Sequence, residues 1–226
     1  MEIGNWSFKG KVVKTFDEHV KKSIPGYEII QNLIIDMSQF FIRENDLVYD
    51  LGSSTGTTIY NLKKNIKKKF KIKGVDSSTS MIEEAKRNLS YVTDVELIND
   101  DIENLNLEKC NLVICNLTMC FISMEKREAV IQKIYNALNI GGALIVVDKT
   151  YSSSCLHQDI YTQIYHDFKS KNSFTDEEIL AKERAIRSVL VPKENEKNIE
   201  MLKKQGFEVD EFYRYLNFIG YIAIKN

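Results

Sequence analysis

The chain has 226 residues, 43% of them hydrophobic and 28% charged, with a net charge of -1. That is enough apolar material for one α/β domain with a real core, and too little charge imbalance to drive binding to nucleic acid or to an anionic membrane; direct nucleic-acid binding is therefore not expected. No apolar run is long enough to span a bilayer and no leader is read.

Cys110, Cys115, Cys120 and Cys155 lack CxxC spacing and read as free thiols, Cys115 and Cys120 in apolar surroundings; a reducing cytoplasm is the expected setting. His19, His157 and His166 are scattered, and no metal site is read.

Residues 1–15 carry no clear pattern, with Trp6 and Phe8 as candidates for pinning them to the body. Phe16–Val20 and Tyr27–Phe41 read as helices separated by Pro25-Gly26. Val48–Gly56 then reads as a strand ending in Asp50, followed by a tight turn of small residues, with Thr57–Ile66 as the next helix. Gly52 and Gly56 let the backbone turn sharply and approach a ligand, because neither has a Cβ. A helix N-terminus placed there offers free N–H groups. Asp76 ends the next apolar run, where an acid is placed to hold ribose hydroxyls. Together these residues read as a site for a nucleoside-containing cofactor.

Alternating units follow. Phe70–Val75 is a strand and Ser77–Ser90 a helix, with Ser77 and Ser78 as candidate caps. Val95–Ile98 and Leu112–Asn116 are strands, the second followed by a loop through Phe121. Glu125–Leu138 is a helix with Gly141-Gly142 as its stop signal, and Ala143–Val147 is a strand. Such alternation predicts a doubly wound, mostly parallel sheet with its ligand at the carboxyl ends of the strands, where Asp50, Asp76, Asp101, Asn116 and Asp148 all fall.

The rhythm breaks at 150–193. Leu156–Lys171 and Asp176–Leu190 read as two helices with no strand between them, which predicts a cap over the cleft. Thr175 and Glu178 form a capping box. Lys197–Gln205 is a helix, and Phe207–Tyr213 with Asn217–Ile224 make an antiparallel hairpin, Arg214-Tyr215 lying near its turn. Residues 1–226 are thus expected to form a single domain, with N-terminal helices across 16–46 and the cap at 150–193.

Several residues carry two readings. Asp101 either accepts from an adenine amino group, with Ile102 supplying an apolar edge, or caps a polar loop. Met81 covers an adenine face or packs in the core. Asn116 faces the reacting end of the cofactor or merely closes a strand. Tyr27 packs or reaches over the cleft. His166 and Asp167 are adjacent on a helix and cannot face each other as a dyad, though one of them can line a pocket.

This combination resembles the class I S-adenosylmethionine-dependent methyltransferases, and within them the carboxy-S-adenosylmethionine synthase family that acts in tRNA wobble-uridine modification. The segments that carry the likeness are S-I-P-G-Y (23–27), V-Y-D-L-G-S-S (48–54), G-V-D-S-S (74–78), N-D-D-I (99–102), N-L-T (116–118), G-G-A-L (141–144), Y-H-D-F-K (165–169) and L-N-F (216–218). The resemblance implies a Rossmann-like, mostly parallel seven-stranded sheet with a C-terminal antiparallel hairpin and a helical cap. It implies S-adenosylmethionine as cofactor, or carboxy-S-adenosylmethionine in its place, held by Tyr27, Gly52, Ser53, Ser54, Asp76, Ser77, Asp101, Ile102 and Asn116; Asp50, Gly56 and Met81 join them as cofactor-site candidates from the pattern of the residues. Ser53 stands where the family usually has Cys. A homodimer meeting through the cap is also implied, for which Ile160, Ile164 and Phe168 are candidates unless they pack on the sheet.

One position departs from the family. It has an Arg on the second cap helix that grips the extra carboxylate of carboxy-S-adenosylmethionine; ungapped counting puts Glu183 there, a like charge. Arg184 and Arg187 project from other faces. The expectation is therefore methyl transfer from S-adenosylmethionine to a small, partly apolar acceptor under the cap, with Tyr151, Tyr165, His166 and Arg214 as candidate pocket residues and catalysis mainly by alignment. The first alternative is carboxy-S-adenosylmethionine synthesis with prephenate as carboxyl source, which needs another cation in place of the missing Arg. The second is a non-catalytic cofactor-binding subunit.

Overall fold

The computed structural model describes residues 11–226; Trp6 and Phe8 lie outside them. The elements in chain order are α1 (Lys11–Lys14), α2 (Phe16–Ser23), α3 (Tyr27–Phe41), β1 (Asp46–Leu51), α4 (Thr57–Asn65), β2 (Phe70–Asp76), α5 (Thr79–Asn88), β3 (Val95–Asn99) and β4 (Cys110–Asn116). A 3₁₀ turn at Met119–Phe121 is followed by α6 (Met124–Ala137), β5 (Leu138–Tyr151), α7 (Cys155–Lys171), α8 (Asp176–Ile186), β6 (Lys193–Glu194), α9 (Asn195–Lys204), β7 (Phe207–Tyr215) and β8 (Phe218–Lys225).

The main sheet runs β3-β2-β1-β4-β5-β8-β7, seven strands in line, with two-residue β6 added against the end of β5. β8 is antiparallel to both its neighbours; the pairings among β1 to β5 are parallel. Successive residues of a strand point to opposite faces, and both faces here are covered. Val48, Leu112, Ile114 and Ile145 pack on one side with Ile30, Ile34, Ile59 and Leu62 of α3 and α4. Tyr49, Val113, Cys115 and Leu144 pack on the other with Ile131, Ile134, Met201 and Leu202 of α6 and α9. This double burial is why the central strands read as unbroken apolar runs. The chain leaves β1 toward β2 and β3, then crosses to β4 on the other side. The strand ends therefore part between β1 and β4, where a doubly wound sheet holds its ligand.

The glycine pair does not stop α6. The helix ends at Ala137, and Leu138 is already extended and opens β5. Leu138 pairs with Cys110, and the register shifts before Leu112. A Cβ on Gly142 would lie 2.9 Å from the carbonyl oxygens of Asn111 and Asn139. Gly142 is there because backbones crowd at that irregularity. β5 also runs past Asp148 to Tyr151, since Thr150 and Tyr151 pair with β6.

The cap is α7 and α8, and the Thr175–Glu178 box is formed. α8 ends at Ile186 rather than Leu190, because Arg187 is extended and Ser188 is left-handed. Leu156, Ile160 and Ile164 are exposed on α7 and do not pack on the sheet. The hairpin turns at Leu216-Asn217, so Arg214 lies within β7 opposite Ile219 and is exposed. No described helix is long and apolar enough to cross a membrane.

Arg127 of α6 fastens the end of the cap to the core. It is 1% exposed. Its Nε donates to the Ile122 carbonyl at 2.9 Å and its Nη2 to the Val191 carbonyl. The Val191 N–H in turn donates to the Cys120 carbonyl at 2.7 Å. Asp148 accepts from the Cys120 N–H at 2.9 Å and faces the Arg127 charge, while burial pushes its carboxyl up to about 6. Replacing Arg127 by Leu leaves Asp148 without its countercharge and should cost about 3 kcal/mol in urea unfolding at pH 8. Without Arg127, which lowers the Asp148 pKa, the variant takes up its proton above pH 6, so the loss should shrink as the pH falls from 8 toward 6 and level off below it.

Candidate functional site

A cavity of about 500 Å³ opens at the split between β1 and β4, roofed by α2 and the cap; that is the size of a small-ligand site. Gly52 leaves β1 with φ +81°, and a Cβ there would sit 2.3 Å from Thr118 Oγ1. The loop is pressed against Thr118, whose hydroxyl donates to the Leu51 carbonyl at 2.8 Å. The Gly52 and Ser53 N–H groups both donate to the Val75 carbonyl, at 2.8 and 2.9 Å. Only a glycine fits there without strain.

Asp76, at the end of β2, is held from both sides. Its Oδ2 accepts from the Ser54 N–H at 2.9 Å and its Oδ1 from the Ser78 N–H at 2.8 Å. Burial raises its pKa, and these two N–H groups oppose the rise. Each oxygen keeps a free lone pair, so the carboxylate can still accept from a diol. Of the two candidate caps, Ser78 caps α5 and Ser77 is exposed on the cavity wall. Met81, 1% exposed, lines the same wall with its sulfur 3.5 Å from Ser54 Oγ. Asp101 and Ile102 follow at the rim; Asp101 Oδ1 accepts from the Glu103 N–H at 3.0 Å.

Three buried polar atoms near this wall have no partner among the described residues: Ser53 Oγ, Asn116 Oδ1 and Asp50 Oδ2. Buried polar atoms are normally satisfied, so they mark where a polar ligand belongs. Ser53 and Asn116 line the cavity; Asp50 is buried and does not reach it. Burial and the Asp76 charge push Asp50 up to about 7. Tyr27 also lines the cavity, its hydroxyl accepting from Gln31 Nε2 at 3.1 Å. The wall therefore offers an acceptor pair for a diol, an apolar slot and unpaired groups for an amino-acid tail, which fits a nucleoside carrying such a tail.

Gly56 and Arg214 are not part of the wall. Gly56 precedes α4, and a Cβ there would meet Leu89 at 2.6 Å; its task is packing. Arg214 is carried away because the hairpin turns later than expected. Asp148 is a buried structural acid for the reasons above. Tyr151, Tyr165 and His166 do line the cavity.

The sequence reading missed two groups of residues. The first is α2. Asp17 Oδ1 accepts from Thr55 Oγ1 at 2.6 Å and from Thr57 Oγ1 at 3.0 Å, which fastens α2 over the glycine turn. His19 of α2 meets Lys182 of α8, and burial with the Lys182 charge lowers His19 to about 4, leaving it neutral.

The second group is a cluster of lysines at the cap end. Lys149 Nζ lies 4.7 Å and Lys169 Nζ 4.0 Å from the centre of the Tyr165 ring. Lys182 stands within electrostatic reach of both. Burial first, and then repulsion from its neighbours, lowers Lys182 to about 7 and Lys169 to about 8; burial also lowers Lys149. Glu183 faces Lys149 and Lys169, with Oε1 3.6 Å from His166 Nε2. Arg187 lines the cavity as well, whereas Arg184 does not. The signal for Lys169 was in the H-D-F-K segment, but nothing in the sequence brought the lysines together.

Two expected outcomes follow from these charges. Asp50→Asn removes an uncompensated buried carboxylate, so it should raise the melting temperature of the ligand-free protein at pH 8. Lys169 and Lys182 are depressed from 10.5 to about 8 and 7. Between those values and 10.5 the unfolded chain binds more protons than the folded one, so the cost of burying them is full below pH 7 and fades as the pH rises. From these lysines alone, melting temperature should climb between pH 7 and 9, and replacing both by Met should flatten that climb.

Comparison with known proteins agrees with this geometry. A family model described as a methyltransferase domain matches residues 48–142. The carboxy-S-adenosyl-L-methionine synthase of Staphylococcus epidermidis is 36% identical over 222 residues, covering 97% of each chain. That of Desulfotalea psychrophila is 33% identical, covering 98% of this chain and 92% of its own. Among solved structures, human N-acetylserotonin methyltransferase in complex with its SAM ligand has the same fold, with a TM-score of 0.63 at 16% identity over 94% of this chain and 54% of its own. On the strength of full-length likeness at this identity, the chain belongs to the carboxy-S-adenosyl-L-methionine synthase family of class I methyltransferase-fold enzymes.

Proposed function

We propose that this protein is a transferase that binds S-adenosylmethionine along the strand ends and carboxylates it from an anionic co-substrate held under the cap. The lysine cluster carries this reading. Among the described residues, the ammonium groups of Lys149 and Lys169 have the Tyr165 ring beside them but no hydrogen-bond acceptor. Buried cations of that kind call for an anion. They supply the positive charge that the Glu183 position lacks, and they do not suit a merely apolar acceptor.

Bound S-adenosylmethionine would supply a methyl carbon whose C–H bond the adjacent sulfonium acidifies; with prephenate as donor, the ring C–CO2 bond breaks as the ring hydroxyl departs, the hydroxide and the methyl proton leave as water, and the methyl carbon bonds to the released CO2. Asp76 and Ser77 hold the ribose, Asp101 and Ile102 the adenine, and Tyr27, Ser53 and Asn116 the methionine portion. Lys149, Lys169 and Lys182 hold the carboxylates of the donor beyond Asn116. The chain's contribution is to orient two reactants and to stabilise negative charge between them.

Methyl transfer from the same cofactor is a second reading, which the Glu183 carboxylate favours because it would repel a carboxylated cofactor. Mass spectrometry of the small molecule released on denaturing the purified protein, and of a reaction of S-adenosylmethionine with prephenate, distinguishes the two. Carboxy-S-adenosylmethionine in either supports the proposal. Only S-adenosylmethionine or its demethylated product, with no carboxylated species formed, supports methyl transfer. Lys169→Met should lower kcat/KM for the anionic co-substrate at least ~tenfold while leaving S-adenosylmethionine affinity within about twofold.

A further inference from the structure

The cap end of the cavity combines cations with one carboxylate that has spare capacity. Lys169 is 8% exposed and Lys149 stands beside the same Tyr165 ring. Glu183 lines the same space. Among the described residues its nearest basic side chain is His166, at 3.6 Å, which is beyond a normal hydrogen bond. Its two oxygens can therefore accept from a ligand while the lysines take the ligand's negative charge. An ammonium on the ligand would meet the lysine charges, whereas a neutral hydroxyl would not.

We infer that Glu183 is a specificity-determining residue: it accepts a hydrogen bond from a hydroxyl group on the co-substrate, so that the site selects a hydroxy-bearing carboxylate over the same carboxylate without the hydroxyl. The inference rests on the anionic co-substrate proposed above. Glu183, with 37% of its side chain exposed, is open to water until a ligand covers it; a ligand that covers it without offering a hydroxyl leaves its oxygens unpaired and binds more weakly.

The test uses the full chain loaded with S-adenosylmethionine and calorimetry with three aromatic carboxylates of equal charge: phenyllactate, phenylpyruvate and 3-phenylpropionate. The cavity's Tyr161, Tyr165 and Phe218 suit their shared ring. Phenyllactate should bind at least about tenfold more tightly than 3-phenylpropionate, with phenylpyruvate no better than the latter. Glu183→Met should erase the preference, and Glu183→Gln, which keeps an acceptor oxygen, should retain part of it. If both variants instead tighten all three ligands alike, Glu183 acts only as a charge and the inference is overturned. Equal binding of all three to the unaltered protein overturns it too, and leaves the anionic reading standing. Binding of none of them takes down that reading and this inference together.

Discussion

Everything at this site depends on the contact between Gly52 and Thr118. The chain must leave β1, turn and enter α4 while β4 returns alongside, and there is no room between the turn and Thr118 for even one methyl group. That constraint ties the two sides of the split in the sheet to each other. The Val75 carbonyl receives both N–H groups of the turn, so β2 is drawn into the same geometry, and Asp76 with it. The positions of Asp76, the glycine backbone and Asn116 are consequences of one close packing, not separate placements. Errors there would not be local.

The site is assembled against the interests of stability. Asp50 is buried with an orphaned oxygen, and the lysines at the cap are held below their ordinary pKa. Such groups are tolerated because two cores, one on each face of the sheet, supply the surplus. Arg127 shows the contrasting case. It too is a buried charge, but two carbonyls and a facing carboxylate compensate it, and its work is to hold the loop at residues 119–122 against Val191. Arg127, partnered except at its Nη1, holds the architecture together, whereas Lys149, Lys169 and Lys182 line the cavity itself.

The strands were legible because double burial writes them as apolar runs, and a strand's last polar residue marks the ligand side. That is how the residues alone place Asp76 and Asn116 on the side of the sheet where the cavity lies. The same rule misplaced Asp148, because pairing with two-residue β6 carries β5 onward, and a two-residue strand leaves no periodic trace. Gly141-Gly142 looked like a helix stop, but the crowding that requires Gly142 comes from the carbonyls of nearby Asn139 and of Asn111, far away in the chain. The lysine cluster was illegible for a related reason. Lys149, Lys169 and Lys182 lie on three elements, and a lone lysine in a sequence reads as solvated surface. Glu183 drew notice through its departure from the family pattern, yet its meaning depends on lysines that only the fold sets beside it.

Lys149 is rooted in β5, paired along its length to β4 and β8, while Lys169 and Lys182 ride on the cap helices. Lys149 and Lys169 thus reach the one Tyr165 ring from the sheet and from the cap. An anion held by both would bridge the floor of the cavity and its roof, so that a single ligand would also serve as a tie between them.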